Sequence, residues 1–303
     1  QRRSALAAVA LGLVSARAWA GAYEDFFVAI LRDDGDAITA LLRRGFDPNT
    51  RDPKGQVGIT IALQNGANKA CAALLASRTV NVDARNAQDE SPLMIAAIKG
   101  NVDAVKALIA REGADRIGGF IAEPIQASGG IIVPPEGYLK RMWEVCQRHD
   151  ILFIADEVVT SFGRLGHWFA SWDEFGVQPD MVATAKGLTS GYVPLGAMIM
   201  SDRIWNVMAE GGHRWFTTGF TYSGHPVSCA AALKNIEIME REDLLGNAAR
   251  VGTYFEARLA GLSDLPLVGD VRGRKLMMCV ESVAIKATKA LFPDEATESK
   301  RIS

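Results

Sequence analysis

Two apolar runs that each end in a charged residue place the strongest constraint on how this chain folds. The first run is ILFIAD, which ends in Asp156, and the second is DMVATAK, which ends in Lys186. Unbroken apolar runs of this length are typical of strands that are buried on both faces in a parallel sheet. In open α/β sheets, functional groups collect beyond the carboxyl ends of such strands. The two runs therefore predict a parallel sheet with an acid and an amine at one edge.

The sequence around these runs alternates between strand and helix patterns. GGFIAEP predicts a short strand that ends at Glu123, and LGAMIM predicts a further strand. Residues 136–150 place apolar side chains on one helical face, and PVSCAAALKNIEIME predicts a helix that opens after Gly224. This alternation is typical of an α/β domain, which we assign to residues 116–270.

Composition excludes several classes of function. The chain has 303 residues and a net charge of −2, without the basic segment that nucleic acid binding requires. Its four cysteines show no CxxC spacing and its four histidines form no ligand pair, so we expect no metal site. The apolar content is sufficient for a large core.

The first twenty residues have the layout of a secretory signal peptide. Arg2 and Arg3 precede an apolar run, and Ala18-Trp19-Ala20 is an A-x-A cleavage pattern. The run is too short to span a bilayer, which takes about 20 residues. An alanine-rich amphipathic helix is the alternative. The leader indicates a periplasmic or exported protein.

Residues 21–115 repeat themselves with a period of about 33–34 residues. Gly55 matches Asp89, Ala62 matches Ala96, and the last clear copy contains Ser91-Pro92-Leu93. This pattern resembles the ankyrin repeat, and the resemblance implies an all-α repeat stack in which each helix pair is covered by its neighbour. Such a stack would be a binding surface for a protein partner or a spacer, and it performs no chemistry.

The charged strand ends in the second half indicate a cofactor. Glu123, Asp156 and Lys186 would converge at one edge of one sheet, and unpaired charges in a low-dielectric crevice are costly. A pyridine ring with an aldehyde suits them, because an aspartate keeps the ring nitrogen protonated and a lysine forms a Schiff base. That chemistry is the chemistry of pyridoxal 5′-phosphate. The alternatives are local: an Asp-Glu pair that caps a turn, and a lysine at a strand end in solvent.

Four separated motifs resemble class III, omega-type, aminotransferases in order and spacing. They are FIAEPIQASGGIIVPPEGYL, ILFIADEVVTSFGRLG, QPDMVATAKGLTSGYVPLGA and GFTYSGHP. The resemblance implies the type I pyridoxal-phosphate fold, working as a homodimer with shared active sites. The reaction it implies is amino-group transfer from an amine or omega-amino acid to a keto acid.

The same resemblance implies a role for each matching residue. Lys186 would be the catalytic Schiff-base lysine, and Asp156 would face the pyridine nitrogen. Val158 would pack on the ring face, and Thr221 would reach the phosphate of the cofactor in the partner subunit. Glu123 would support the pocket.

The sequence also departs from the family pattern. The repeats stand in place of the family segment before Gly118, which supplies the phosphate-binding turn and the ring-stacking aromatic. Residues 271–303 look like the start of the small C-terminal domain, without the arginine that grips the substrate carboxylate. Lys275, Ala127 and Ser161 stand where glycine is common.

We therefore expect an all-α ankyrin-like stack followed by a partial α/β aminotransferase domain with little or no activity. The alternative is an exported ankyrin-like binding module that carries a non-catalytic remnant. Location stays open at this point, because the leader indicates export while the aminotransferase half indicates the cytoplasm.

Overall fold

The structure is a computed structural model that describes residues 21–214, 216 and 219–293. The signal-like leader predicted at 1–20, and the last ten residues of the predicted C-terminal segment, lie outside the described residues. The chain forms two compact units, the first ending at Ile117 and the second beginning at Gly118.

The first unit is built of short helices that pack through small side chains. Asp34, Ser91 and Asn101 begin three of them, each accepting a hydrogen bond from a backbone N–H of the first turn. Ala62 and Ala96 are fully buried, which lets α3 and α5 approach closely. The helices are α1 (residues 21–31), α2 (Gly35–Arg43), α3 (Gly58–Gln64), α4 (Asn68–Ala76), α5 (Pro92–Ile98) and α6 (Val102–Glu112).

The predicted fold class, an all-α ankyrin-like repeat stack followed by a partial α/β domain, is wrong. The described chain is a mixed α/β protein, in which the helices of the first part are followed by a four-stranded sheet. The physical reason is that a period in small and apolar positions specifies only that helices pack in pairs. It does not specify the fold to which those helices belong.

The second unit is organised by a four-stranded sheet in the order β1-β2-β3-β4. The first three strands are parallel neighbours, with Ala122 opposite Ala155 and Asp156 opposite Ala183. The fourth runs antiparallel to β3, which closes the run of parallel strands. The strands are β1 (Gly119–Ala122), β2 (Leu152–Asp156), β3 (Met181–Thr184) and β4 (Ala197–Met200).

Helices and a hairpin complete the second unit. The first of these helices, α7, begins after Gly137 in a left-handed conformation and buries Leu139, Met142 and Cys146 on the side that packs against β2. The helices of the described residues fall short of the length and apolarity that a bilayer span requires. The elements are α7 (Tyr138–Arg148), α8 (Ala170–Asp173), α9 (Asp202–Ala209), α10 (Pro226–Arg241), α11 (Leu244–Ala260), β5 (Val268–Arg274) and β6 (Met277–Ser282).

Candidate active site

The parallel sheet places three of the predicted site residues at one edge. Glu123 directly follows β1, Asp156 is the last residue of β2, and Lys186 lies two residues beyond the end of β3. Since β1, β2 and β3 are parallel neighbours, their carboxyl ends lie side by side. Thr221 lies in an exposed turn before α10 and is not part of this edge.

Lys186 is exposed at the mouth of a cavity of about 250 Å³. It begins a 3-10 turn, Lys186–Leu188, with a positive φ of 35°. Non-glycine residues rarely adopt this conformation, and such residues cluster at functional sites. No ion pair or hydrogen bond ties its ammonium to another described residue, so the amine is available to a ligand. The cavity is lined by Val159, Ser161, Phe162, Gly163, Arg164, Lys186, Gly187, Ser190, Met239, Leu244 and Leu276.

The two predicted carboxylates each accept a hydrogen bond from the turn that follows their own strand. Asp156 Oδ1 accepts from the backbone N–H of Val158 at 3.1 Å, and Glu123 Oε2 accepts from that of Ala127 at 2.8 Å. Both side chains are half-buried. Neither they nor Val158 are among the described residues that line the cavity at Lys186. The local capping role left open by the sequence is therefore present, and the second oxygen of Asp156 has no partner among the described residues.

Glu157 is the acid that sequence reasoning missed. It is fully buried, and its carboxylate accepts hydrogen bonds from Thr160 Oγ1 and Ala170 N, both at 2.9 Å, and from the N–H and hydroxyl of Ser171. A buried carboxylate is tolerated only when donors surround it in this way. The signal was present, since side chains alternate along a strand and only one of two adjacent acids at its end faces inward.

Asn235 on α10 also escaped the sequence reasoning, and it holds the turn that contains Lys186. Its amide nitrogen donates to the backbone carbonyls of Gly187 at 2.9 Å and Leu188 at 3.2 Å. Its oxygen accepts from the Ser190 hydroxyl at 2.8 Å. No spacing in the sequence indicates this contact, because it joins residues 48 positions apart.

The buried cysteines are poor candidates for nucleophiles. Burial raises the pKa of Cys146 to about 12, and the charge of Asp180 adds to the shift. Burial likewise raises the pKa of Cys71 to about 11, with a smaller contribution from Asp33. Thiols with such pKa values stay protonated and unreactive near neutral pH. Within the described residues no cluster of histidine, cysteine and acidic side chains is suited to a metal ion.

Comparison with protein families identifies the family to which this chain belongs. The model of the family described as aminotransferase class-III matches residues 57–299. The chain belongs to the class-III aminotransferase family. These aminotransferases depend on pyridoxal phosphate. The match begins at residue 57, inside the region predicted to be an ankyrin-like stack, and this overturns the predicted fold class.

Curated relatives of this class-III aminotransferase chain share nearly half of the aligned residues. A putrescine–pyruvate aminotransferase of Pseudomonas aeruginosa is 46% identical over 184 residues, which are 60% of this chain and 40% of that protein. An uncharacterised aminotransferase of Sinorhizobium fredii is 46% identical over 63% of this chain and 41% of its own length. The chain thus spans about four tenths of the length of the curated relatives it matches.

Solved transaminases match the fold. An (S)-enantioselective omega-transaminase from Thermomicrobium roseum superposes with a TM-score of 0.61 at 48% identity, over 66% of this chain and 44% of that one. An amine transaminase from an uncultivated Pseudomonas species, solved in its PLP-bound form, has a TM-score of 0.63 at 44% identity, over 72% of this chain and 49% of that one.

Proposed function

We propose that this chain carries the lysine-bearing part of a pyridoxal-phosphate aminotransferase site and serves amino-group transfer from an amine or omega-amino acid to a keto acid. One observation carries the proposal. The Lys186 amine is exposed in a cavity, without a described partner, at the sheet edge where the neighbouring strand ends in Asp156.

The residues present have the chemistry that this cofactor needs. When bound, pyridoxal phosphate supplies an aldehyde that condenses with a primary amine and a ring that draws electrons from the reacting carbon. Lys186 contributes the primary amine, and its Nζ afterwards carries the proton that moves during amino transfer. Asp156 contributes a carboxylate with one oxygen available, which is the group that keeps a pyridine nitrogen protonated.

The other predicted residues have supporting roles in this proposal. Val158 would pack on the ring of the bound cofactor, and Glu123 orders the turn after β1 through its bond to Ala127. Thr221 is exposed, as expected for a residue that serves the cofactor of a second copy in a homodimer. The alternative of an exported ankyrin-like binding module is dropped, because the fold on which it rested is wrong.

The substrate class is supported by the printed names of relatives. These include a putrescine–pyruvate aminotransferase and a gamma-aminobutyrate transaminase of Solanum lycopersicum, 40% identical over 62% of this chain. We propose an omega-amine as donor and pyruvate or a similar keto acid as acceptor. We also propose that turnover by this chain alone is weak or absent. Lys186 is exposed to water, and electrostatic catalysis depends on a site that excludes it.

The test is covalent capture of the cofactor. The purified chain is incubated with pyridoxal phosphate, reduced with borohydride, and digested, and the added mass is located by peptide mass spectrometry. We expect the mass on the peptide that contains Lys186 and its loss in Lys186→Ala. The matched control is Lys140→Ala, since Lys140 is also exposed but lies on α7.

Label spread over many lysines, with no preference for Lys186, would contradict the proposal. Formation of alanine from pyruvate and putrescine is measured in parallel. Turnover that disappears in Lys186→Ala would support the reaction and refute the expectation of weak activity.

A further inference from the structure

The turn formed by residues 157–163, which we name the Glu157 turn, is fastened to the end of β3. The backbone N–H of Glu157 donates to the carbonyl of Ala183 at 2.8 Å. The carboxylate of Glu157 is held in turn by α8 through Ala170 and Ser171. One end of the turn is therefore a fixed point of the fold.

A second link joins the turn to the last residue of β3. The hydroxyl oxygens of Ser161 and Thr184 lie 2.7 Å apart, and both residues are buried. Ser161 Oγ also bonds to the carbonyl of Glu157, which can only accept. Ser161 therefore donates its single proton to Glu157, and Thr184 donates to Ser161. The two hydrogen bonds therefore run from Thr184 to Ser161 and from Ser161 to Glu157.

The turn and the Lys186 segment are also in direct contact. A Cβ placed on Gly187 would lie 2.9 Å from Phe162 Cβ and 3.5 Å from the Ser161 carbonyl oxygen. Phe162 and Lys186 both have positive φ, at 51° and 35°. Such conformations persist only where the surroundings hold them. Ser161, Phe162 and Lys186 then line the same cavity.

We propose that Ser161 is a positioning residue for Lys186. Its hydroxyl ties Thr184 to the Glu157 turn, and this contact holds the backbone two residues before Lys186 so that the amine stays at the cavity. The inference rests on the proposed function of Lys186 as the amine that takes up the cofactor.

The experiment removes the Ser161–Thr184 bond from either side. Ser161→Ala and Thr184→Val delete one hydroxyl each, while Thr184→Ser keeps the hydroxyl and serves as the conservative rescue. The rate of borohydride-trapped pyridoxal phosphate at Lys186 is measured by mass spectrometry in the full chain. Loss of one such bond is expected to slow attachment about tenfold in both deletion variants and to leave Thr184→Ser near the wild-type rate.

Hydrogen exchange of the unloaded chain supplies a readout that does not involve the cofactor. The amides of Leu188 and Thr189, which donate to Ala185 and Lys186 carbonyls, are expected to exchange faster in the two deletion variants than in Thr184→Ser. Thermal melts identify any variant that unfolds globally. If Ser161→Ala does not fold, the Thr184→Val and Thr184→Ser pair decides the question.

Failure of the proposed function and failure of the proposed role of Ser161 give different results. A wild-type chain without label at Lys186 overturns the proposed function. A labelled wild type with unchanged rate and exchange in the deletion variants overturns only the role of Ser161. Equal losses in Thr184→Ser and Thr184→Val also overturn it, because keeping the hydroxyl would then preserve nothing and a change of packing at Thr184 would account for both.

Discussion

The side-chain amide of Asn235 donates a hydrogen bond to the backbone carbonyl of Gly187, 2.9 Å away, and so holds the turn that follows Lys186. Asn235→Ala removes this bond and the one to Leu188, and it leaves both carbonyls without a donor from α10. We expect the free energy of unfolding to fall by about 1–3 kcal/mol, as measured by urea denaturation.

Glu240→Ala is the matched control for Asn235→Ala, since Glu240 is an exposed residue of the same helix. Its change is expected to stay within about 0.5 kcal/mol. Equal effects of the two substitutions would show that Asn235 contributes no more than a surface position.

Glu157→Gln tests the buried carboxylate at the strand end. Two backbone N–H groups, of Ala170 and Ser171, point at the two carboxylate oxygens. Glutamine replaces one oxygen by an NH₂ group, which faces another donor. We expect the free energy of unfolding to fall by about 2 kcal/mol or more, because hydrogen bonds to charged groups are the strong ones.

The control for this substitution is Glu144→Gln on the exposed side of α7, with an expected change within about 0.5 kcal/mol. Denaturant midpoints of both variants are compared with wild type. A Glu157→Gln variant as stable as wild type would mean that the carboxylate charge is not needed by its four donors.

Lys275→Gly is expected to stabilise the second unit. Lys275 lies in the turn between β5 and β6 with a positive φ of 50°, a conformation that suits glycine. Its Nζ bonds Thr253 Oγ1 at 2.9 Å, but this contact is exposed and contributes little. We expect a gain of about 1 kcal/mol in the free energy of unfolding, visible as a higher melting temperature.

Lys140→Gly is a control for which we expect a change in stability of opposite sign. Lys140 lies within α7, where glycine costs about 1 kcal/mol of stability. A lower melting temperature for Lys275→Gly would refute the argument from backbone strain and assign more weight to the Thr253 contact.

Cys146 should resist alkylation in the native chain. Because its pKa is raised to about 12 by burial and by Asp180, almost no thiolate exists at pH 8. Iodoacetamide labelling followed by peptide mass spectrometry should modify half-buried Cys279 before Cys146, and should modify both in denaturant. Rapid native labelling of Cys146 would contradict the burial.

The same pKa shift predicts how stability depends on pH. The pKa of Cys146 is higher in the folded chain than in the unfolded chain. The contribution of this thiol to the free energy of unfolding is therefore fully present below about pH 8.5. As pH rises beyond that value the unfolded thiol ionises first. Stability is therefore lost from about pH 9 up to the folded pKa of about 12, and replacing Cys146 by alanine should weaken this loss, as measured by denaturant titration at each pH.

The order of the motifs could be predicted from the sequence because each motif is a short stretch of chain. The apolar runs predicted β1 to β4, and the charged residues at their ends placed Glu123, Asp156 and Lys186 at one sheet edge. The roles assigned to these residues, with Val158 and Thr221, stay predictions until the cofactor is captured. The repeat period led to a wrong prediction of the fold class, because a period specifies how helices pair and not which fold contains them.

What the sequence alone determined is the strands β1 to β4 and the charged residues at or after the ends of the first three of them, since strand period and apolar runs are local properties. Only the tertiary structure decided that Glu157 and not Asp156 is fully buried, that Lys186 is exposed, and that Ser161 bonds Thr184. The physical reason is distance along the chain. Ser161 and Thr184 are 23 residues apart, and their contact exists only because the folded core brings the two segments together.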